Sequence, residues 1–266
     1  MKLRNARILV TGASGGIGHS LALALAREGA LLMLAGREGD ALSAICGEIS
    51  ALGANASPFT ADLMQPGAAE QLATDAVAAS GGVDVLVNLA GISSFRLFQE
   101  EDSASIERLW RVNVIAPMIL SRCLLPQMLG RGSGRIVNIG SVFGSIGFAC
   151  FANYSATKFA IRGFSQALRR ELENTGIGVT YVAPRYTRTP INAGAVSRMA
   201  SALKMNMDEP SLVADHIVRA IARDHNEHYI GFPESLFIRI NALLPGLVDG
   251  AMRTQNRRMR TFAEAR

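Results

Sequence analysis

The sequence has few cysteines and no long apolar run, and each shortage excludes a class of protein. Only three cysteines occur, Cys46, Cys123 and Cys150, an odd number without CxxC spacing, so neither a disulfide framework nor a zinc knuckle is supported. No uninterrupted apolar run approaches the roughly 20 residues of a membrane-spanning helix. The first residues pass directly into a strand-like run, which leaves no room for the hydrophobic region of a signal peptide. We therefore expect a cytoplasmic protein that does not span a membrane.

Charged residues are also scarce, at 18% against 49% hydrophobic, which is typical of compact globular proteins and excludes a disordered chain. The formal net charge is +5, but Lys and Arg are scattered except near the C-terminus. An anionic cofactor and a basic tail explain this balance better than a nucleic acid partner. His225 and His228 lie in a polar turn, and no HExxH or similar ligand set occurs, so no metal is expected.

Short apolar β-type runs alternate with stretches of helical periodicity through most of the chain, a pattern typical of βαβ units around a parallel sheet. The predicted strands are residues 6–10, 31–35, 56–61, 83–90, 134–140, 177–183 and 227–232. Their apolar character predicts burial on both faces. Between them, recurrences such as Ile17, Leu21 and Leu25 indicate amphipathic crossover helices. We predict one α/β domain over residues 1–266, a doubly wound seven-stranded parallel sheet flanked by helices.

Residues 185–210 break this alternation and are interpreted as a mobile flap. They are rich in Thr, Ala, Met and Arg. Met199, Met205 and Met207 lie in this segment, and their flexible thioethers suit either an adaptable substrate wall or ordinary gap-filling. Gap-filling is the preferred interpretation.

The C-terminal extension, about residues 234–266, is first apolar and then basic. It is consistent with a wall of the substrate pocket that also packs on another subunit, or with an element lying on an anionic membrane surface. Pro245 and Gly246 interrupt any single long helix, which favours packing.

The segment TGASGGIG, residues 11–18, follows the first predicted strand and opens a helix. In this context a glycine-rich turn can bring backbone N–H groups against a pyrophosphate. Gly12, Gly16 and Gly18 carry the motif, because a missing Cβ permits positive φ, close approach of the backbone and close helix-to-strand packing. Taken alone, the motif is also consistent with a generic tight turn.

Beyond this turn, residues 6–233 resemble the short-chain dehydrogenase/reductase family. The matching features are Asp62 at the end of the third strand, NLAG at 88–91, Asn113 in the next helix, Ser141 after the fifth strand and YSATK at 154–158. The resemblance implies a Rossmann-like sheet and a nicotinamide dinucleotide. It also implies a catalytic tetrad of Asn113, Ser141, Tyr154 and Lys158.

The chemistry of these residue types agrees with the resemblance. Tyr154 and Lys158 are four positions apart on a predicted helix, so they share one face. A free tyrosine has a pKa of about 10, and a positive charge about 4 Å away lowers it by roughly three units at an effective dielectric of about 20. We expect Lys158 to supply that charge. Ser141 can orient the substrate oxygen, and in the family Asn113 helps to hold a water chain leading from the lysine.

The resemblance also assigns residues to the dinucleotide. The predicted cofactor-binding residues are Gly12, Ser14, Gly16, Ile17, Gly18, Arg37, Asp62, Leu63, Asn88, Ala90, Gly91, Tyr154, Lys158, Pro184 and Thr189. Within this set, Asp62 and Leu63 resemble the pair that contacts the adenine. Asn88, Ala90 and Gly91 match the segment that stabilises the central sheet and passes near the ribose.

The residues at the end of the second strand indicate whether the dinucleotide is NAD(H) or NADP(H). Proteins of this fold that choose NAD generally place an acidic residue there. Here the place reads AGRE, in which Gly36 omits the acid and Arg37 offers a planar cation for a 2′-phosphate. NADP(H) is favoured, although Glu38 beside Arg37 leaves use of NAD(H) open.

The chain departs from the family after Pro184, where Arg185 replaces the usual glycine near the nicotinamide. Arg185 and Arg188 could attract an anionic substrate or carrier. Solvation at the surface is the preferred interpretation of both.

The sequence thus predicts an NADP(H)-dependent oxidoreductase that interconverts an alcohol and a carbonyl, namely an apolar aldehyde, ketone or 3-oxoacyl compound, with Tyr154 as general acid and base. The alternatives are an NAD-dependent alcohol dehydrogenase and a non-catalytic dinucleotide-sensing protein. We expect a small-molecule substrate and a homodimer or homotetramer, with a membrane surface as a less favoured partner. The substrate stays undetermined, because flap and tail residues form its pocket.

Overall fold

The computed structural model describes residues 1–264, so residues 265 and 266 of the predicted domain and C-terminal extension lie outside the described residues. Seven strands form one sheet in the order β3-β2-β1-β4-β5-β6-β7, and every neighbouring pair is parallel. The strands are β1 Arg7–Thr11, β2 Leu31–Gly36, β3 Asn55–Thr60, β4 Val85–Asn88, β5 Gly134–Ile139, β6 Ile177–Ala183 and β7 Glu227–Tyr229. The predicted doubly wound, Rossmann-like parallel sheet is confirmed.

Helices cover both faces of the sheet. They are α1 Gly16–Arg27, α2 Gly39–Ala51, α3 Ala68–Ser80, α4 Ser103–Trp110, α5 Ala116–Arg131, α6 Ala152–Glu171, α7 Ala195–Ala202, α8 Pro210–Ala222, α9 Glu234–Leu243 and α10 Pro245–Glu264. Because successive strand residues point to opposite faces, Ile8 packs with Leu25 of α1 and Ile217 of α8, whereas Leu9 packs with Leu72 of α3 and Leu124 of α5. The core is therefore two apolar layers separated by the sheet.

The expectation that all strands are buried on both faces is wrong for the two outer strands. No residue of β3 or β7 is buried, because each strand lies at an edge of the sheet. Pro58 in β3 fits this position, since an edge strand can tolerate a residue that lacks a backbone N–H. The last strand is also shorter than predicted, and Gly231 beyond it has a φ of +97° that extended backbone does not adopt.

Within residues 1–264, one helical run, Ser103–Arg131, is long and apolar enough to cross a membrane by length and composition. Half of its most apolar window is buried inside the protein. Ala116, Leu120 and Leu124 of this run pack in the core layer beneath the sheet. The run is therefore a core helix.

The flap, residues 185–210, contains a short turn of helix at Pro190–Asn192 and the helix α7. The C-terminal extension forms two helices, α9 and α10, and the break between them lies at Leu244 and Pro245, as the proline predicts. That residues 1–266 form one domain stays a prediction.

Chain order reverses between β1 and β4, which lie side by side at the centre of the sheet although they are not consecutive strands. Helices therefore leave these two strands toward opposite faces, and a crevice opens beyond their carboxyl ends. The glycine segment after β1 and the NLAG segment after β4 both lie at this crevice.

Candidate active site

The glycine turn after β1 is packed too tightly for side chains. A Cβ on Gly12, which has a φ of +69°, would lie 2.7 Å from the Ala90 Cα. A Cβ on Gly18 would collide with the Gly12 carbonyl oxygen and lie 2.8 Å from the Ala13 Cα. Gly12 is therefore required by the close approach of the loop after β4, and Gly18 by the close packing of α1 on the turn, as the motif predicts.

The first turn of α1 faces a cleft of about 560 Å³ that runs along the carboxyl edge of the sheet. Its N-cap, Gly15, gives no side-chain hydrogen bond, and the first turn contains no acidic residue. Its free N–H groups and positive dipole end suit a diphosphate. A Cβ on Gly16 would come 2.9 Å from Thr189 Cγ2, so the flap forms the opposite wall of this cradle. The residues present fit a dinucleotide.

The end of the cleft beyond β2 is basic. Arg37 is exposed and lines the cleft, and within the described residues it makes no ion pair with Glu38 or any other carboxylate. Asp62 and Leu63 line the same region, two and three positions beyond the end of β3. Asp62 accepts a hydrogen bond from the Met64 backbone N–H at 3.1 Å, which orients its carboxylate.

At the other end of the cleft, three polar side chains converge. Tyr154 and Lys158 lie one turn apart on α6, and the Lys158 Nζ is 5.6 Å from the centroid of the Tyr154 ring. The Tyr154 hydroxyl hydrogen-bonds to Ser141, which follows β5. Lys158 Nζ donates to the Ile139 carbonyl oxygen at 3.1 Å, and this bond holds the ammonium group beside the end of β5.

Asn113 lies in a five-residue π-helical segment between α4 and α5 and is buried. Its Nδ2 donates to the Ile92 carbonyl at 2.9 Å and to Thr157 Oγ1 at 3.0 Å, and its Oδ1 accepts from the Ile92 N–H at 2.9 Å. A Cβ on Gly91 would lie 3.4 Å from Asn113 Oδ1 and 3.7 Å from Lys158 Nζ. Asn113 therefore ties the loop after β4 to α6 close to the lysine.

A family model for short-chain dehydrogenases matches residues 6–200. This chain belongs to the short-chain dehydrogenase/reductase family.

Individual relatives cover most of the chain. A ketoacyl reductase, HetN of Nostoc, is 36% identical over 221 residues, which cover 83% of this chain and 76% of the relative. Dehydrogenase/reductase SDR family member 7B of Mus musculus is 34% identical over 270 residues, which cover 97% and 83% of the two chains. The structure of a short-chain dehydrogenase from Sphingobium yanoikuyae in complex with NADPH is 30% identical, with a TM-score of 0.78 and coverage of 93% of this chain and 95% of that one.

The electrostatics of this short-chain dehydrogenase correct one expectation. The net shift of the Tyr154 pKa is upward, not downward as expected: burial raises it to about 12, and the hydrogen bond to Ser141 opposes the rise only in part. Burial also lowers the pKa of Lys158 to about 8. The physical reason is that both groups lose their hydration and that, among residues 1–264, no carboxylate compensates the lysine, so each pKa shifts in the direction of the neutral form.

Asn88 does not reach the cleft, although the resemblance places it among the cofactor-binding residues. Its side chain is buried in the sheet, where Nδ2 donates to Asn138 Oδ1 at 2.8 Å. Asn138 in turn donates to Ser165 Oγ at 2.9 Å. Asn88 therefore links β4 through β5 to α6, because a polar group at this depth requires a hydrogen-bond partner. Its effect on the site is indirect.

Thr11 lines the cleft and was not predicted as a site residue. Its Oγ1 accepts from the Leu89 and Ala90 backbone N–H groups, both at 3.1 Å, and donates to the Val87 carbonyl at 3.3 Å. It thereby fixes the NLAG loop against the glycine turn. The only sequence signal was its place at the start of TGASGGIG, and a threonine at a strand end has many uses.

Arg185 corrects a second expectation, because it is not solvated. Its side chain is 16% exposed and forms ion pairs with Asp208 and Glu234, and the hydrogen bonds that it donates to Asp208 raise its pKa. Arg188 behaves as expected, since its ion pair with Glu209 is exposed on both sides.

Tyr154 also packs against a group of apolar side chains, the aromatic–methionine cluster. Its fully or largely buried members are Phe151, Val196, Met199 and Met259, with Phe95, Phe143, Phe148, Tyr154, Tyr186, Leu203, Met205 and Phe262 packed against them. Met199 and Met205 pack in this cluster, which is consistent with gap-filling and with a substrate wall, whereas Met207 belongs to no described cluster. Met259 and Phe262 come from α10, so the C-terminal extension packs in the cluster that contains Tyr154.

Proposed function

We propose that this chain is an NADP(H)-dependent reductase of an apolar aldehyde, ketone or 3-oxoacyl compound, in which Tyr154 delivers the proton. The observation that carries the proposal is the convergence of the Tyr154 hydroxyl, Ser141 and Lys158 at the end of a glycine-lined dinucleotide cleft. The membership of the family supports it.

The bound dinucleotide supplies the hydride. The protein's contribution is a phenol that stays protonated at neutral pH, since its pKa is raised to about 12, and that can therefore donate to a carbonyl oxygen. Ser141 offers a second hydroxyl for the same oxygen. Lys158 is mostly cationic at pH 7, and its charge favours the phenolate left after proton transfer. These properties suit the protonation of a carbonyl oxygen.

Arg37 supports NADP(H) over NAD(H). Its guanidinium is exposed at the cleft, has no carboxylate partner within residues 1–264, and follows Gly36, where an acid would otherwise repel a phosphate. The residues that would hold the dinucleotide are those of the glycine turn together with Arg37, Asp62 and Thr189. The NADPH held by the Sphingobium relative is consistent with this choice.

The aromatic–methionine cluster beside Tyr154 supports an apolar substrate, because a charged one would lose its hydration there without a compensating partner. The ketoacyl reductase among the relatives is consistent with the 3-oxoacyl class. We further propose that the enzyme works in the cytoplasm as a homodimer or homotetramer.

The test is NADPH consumption against a panel of aldehydes, ketones and 3-oxoacyl thioesters, comparing wild type with Tyr154→Phe. We expect turnover of apolar members by wild type and a loss of about 100- to 10,000-fold in Tyr154→Phe, which should still bind NADPH. An unchanged rate in the variant would refute the role of Tyr154. Binding of NADPH without turnover in either protein would instead favour a dinucleotide sensor, and turnover with NADH alone an NAD-dependent enzyme.

A further inference from the structure

Arg185 joins three segments that are distant in sequence. Its Nε and Nη2 donate to the two carboxylate oxygens of Asp208 at 3.0 and 2.8 Å. Its Nη1 donates to Glu234 Oε2 at 2.9 Å and to the Phe232 carbonyl at 3.2 Å. The loop after β6, the distal part of the flap and the start of α9 therefore meet at one guanidinium.

The backbone of the flap is closed at the same place. Asp208 N donates to the Tyr186 carbonyl at 2.9 Å, and Arg188 N donates to the Asp208 carbonyl at 3.0 Å. Thr187 and Asp208 thus form an isolated parallel bridge. Asp208 is only 3% exposed, so its carboxylate depends on the guanidinium for compensation of its charge.

The part of the flap between these ends contacts both ends of the dinucleotide cleft. Thr189 forms one wall of the diphosphate cradle opposite Gly16. Farther along, Met199 of α7 is buried in the aromatic–methionine cluster that contains Tyr154. A displacement of the flap at its base would therefore move a wall of the cleft and the packing beside the phenol together.

We infer that Arg185 is a positioning residue: its bidentate pair with Asp208 holds the flap closed over the dinucleotide cleft and so sets the affinity for the cofactor. The inference rests on the proposed function for the identity of that ligand. A planar guanidinium matches both carboxylate oxygens, and a lysine ammonium would hold one of them.

The contacts argue against Arg185 as a receptor for an anionic substrate. Nε, Nη1 and Nη2 all donate to protein acceptors, and two carboxylates neutralise the charge. An incoming anion would have to displace the buried Asp208.

The experiment compares Arg185→Gln, Arg185→Lys, Asp208→Asn and the double variant Arg185→Gln/Asp208→Asn. Two quantities are measured: the NADPH dissociation constant by fluorescence titration, and hydrogen–deuterium exchange of residues 186–207 in the cofactor-free protein. If removing the pair lowers the closed population to about one tenth, the apparent dissociation constant rises about tenfold. We expect that rise in each single Gln or Asn variant, no further rise in the double variant, and an intermediate rise in Arg185→Lys.

Faster exchange in the flap should accompany the weaker binding, and KM for NADPH should rise far more than kcat falls. The matched control is Arg188→Gln, which removes the exposed pair with Glu209 at the same flap base and should change neither quantity. Unchanged exchange in Arg185→Gln, or effects that multiply in the double variant, would overturn the inference. If Asp208→Asn does not fold, the dissociation constants and exchange rates of Arg185→Gln and Arg185→Lys are sufficient to test the inference.

The exchange measurement needs neither cofactor nor turnover. If the Arg185 variants show that the pair with Asp208 does not hold the flap, the Tyr154→Phe test of the proposed function is unaffected. Conversely, an active Tyr154→Phe enzyme would refute the proposed function without changing the exchange result expected for Arg185→Gln.

Discussion

Lys158 and Tyr154 share one face of α6, with the ammonium nitrogen 5.6 Å from the centroid of the phenol ring, yet burial favours the neutral form of both side chains. Lys158 is 6% exposed, and within residues 1–264 it forms no ion pair, so burial alone lowers its pKa. The geometry that places a cation beside the phenol therefore destabilises the folded protein near neutral pH. This cost can be measured.

Lys158→Met should make the cofactor-free protein more stable at pH 7. The folded pKa of about 8 lies below the ordinary value of 10.5, so charging the buried lysine costs about 3 kcal/mol at neutral pH. Loss of the hydrogen bond to the Ile139 carbonyl returns about 1 kcal/mol, which leaves a net gain of about 2 kcal/mol. Urea unfolding at pH 7 gives the difference directly.

The same difference should shrink as pH rises from about 8 to 10.5. In this window the unfolded lysine still binds its proton and the folded one does not, so wild-type stability increases with pH while the variant has no such group. Lys2→Met, at an exposed position, should show no comparable pH dependence. A constant difference between wild type and Lys158→Met across the window would show that the lysine pKa is not lowered.

Gly18→Ala should destabilise the protein by more than about 2 kcal/mol and abolish NADPH binding, because the new methyl group would collide with the backbone of the glycine turn. The matched control is Gly47→Ala in α2, where a Cβ would meet no atom within 4 Å. That variant should gain up to about 1 kcal/mol from the better helix propensity of alanine. Thermal unfolding and fluorescence titration of both variants measure the two effects, and equal behaviour would contradict the assigned close packing.

The central strands could be predicted from sequence because their apolar runs are buried on both faces, and β6 has the predicted bounds, 177–183. Such runs do not show where pairing ends. The fourth strand is predicted as 83–90 but pairs only over Val85–Asn88. Val83 and Ala90 pack in the core layer outside the strand, so their apolar character extends the predicted run beyond the paired residues. Edge position, which exposes β3, depends on strand order, and Pro58 is a local sign of it that the apolar pattern does not show.

The candidate site divides in the same way. Tyr154 and Lys158 are close in sequence, so helical periodicity predicts their shared face. The Arg185 ion pairs join residues 23 and 49 positions apart, and only tertiary structure brings them together. The direction of the Tyr154 pKa shift likewise depends on burial by Phe143 and Phe151, which no motif encodes.

Met259→Ala should change the substrate preference of the enzyme. Met259 is fully buried in the aromatic–methionine cluster beside Tyr154, so its truncation leaves a cavity on the side where an apolar substrate would lie. We expect a loss of about 2–5 kcal/mol in stability and a rise in relative kcat/KM for bulkier carbonyls. The control is Met128→Ala, which is equally buried but lies on α5 in the core layer against the sheet. It should lose similar stability and leave the substrate preference unchanged. Identical substrate profiles for the two variants would exclude α10 from the pocket wall.

Arg37→Asp should raise KM for NADPH on the order of 10- to 100-fold and leave KM for NADH nearly unchanged. The basis is that hydrogen bonds to charged groups contribute about 1.5–3 kcal/mol, and the aspartate would in addition repel the 2′-phosphate. Arg4→Asp makes the same charge change at an exposed position before β1, the end of the strand away from the cleft, and should affect neither constant. Both constants come from initial rates with each dinucleotide. Equal changes for NADPH and NADH would mean that Arg37 contacts a part that the two dinucleotides share, and the choice of NADP(H) would then lose its physical basis.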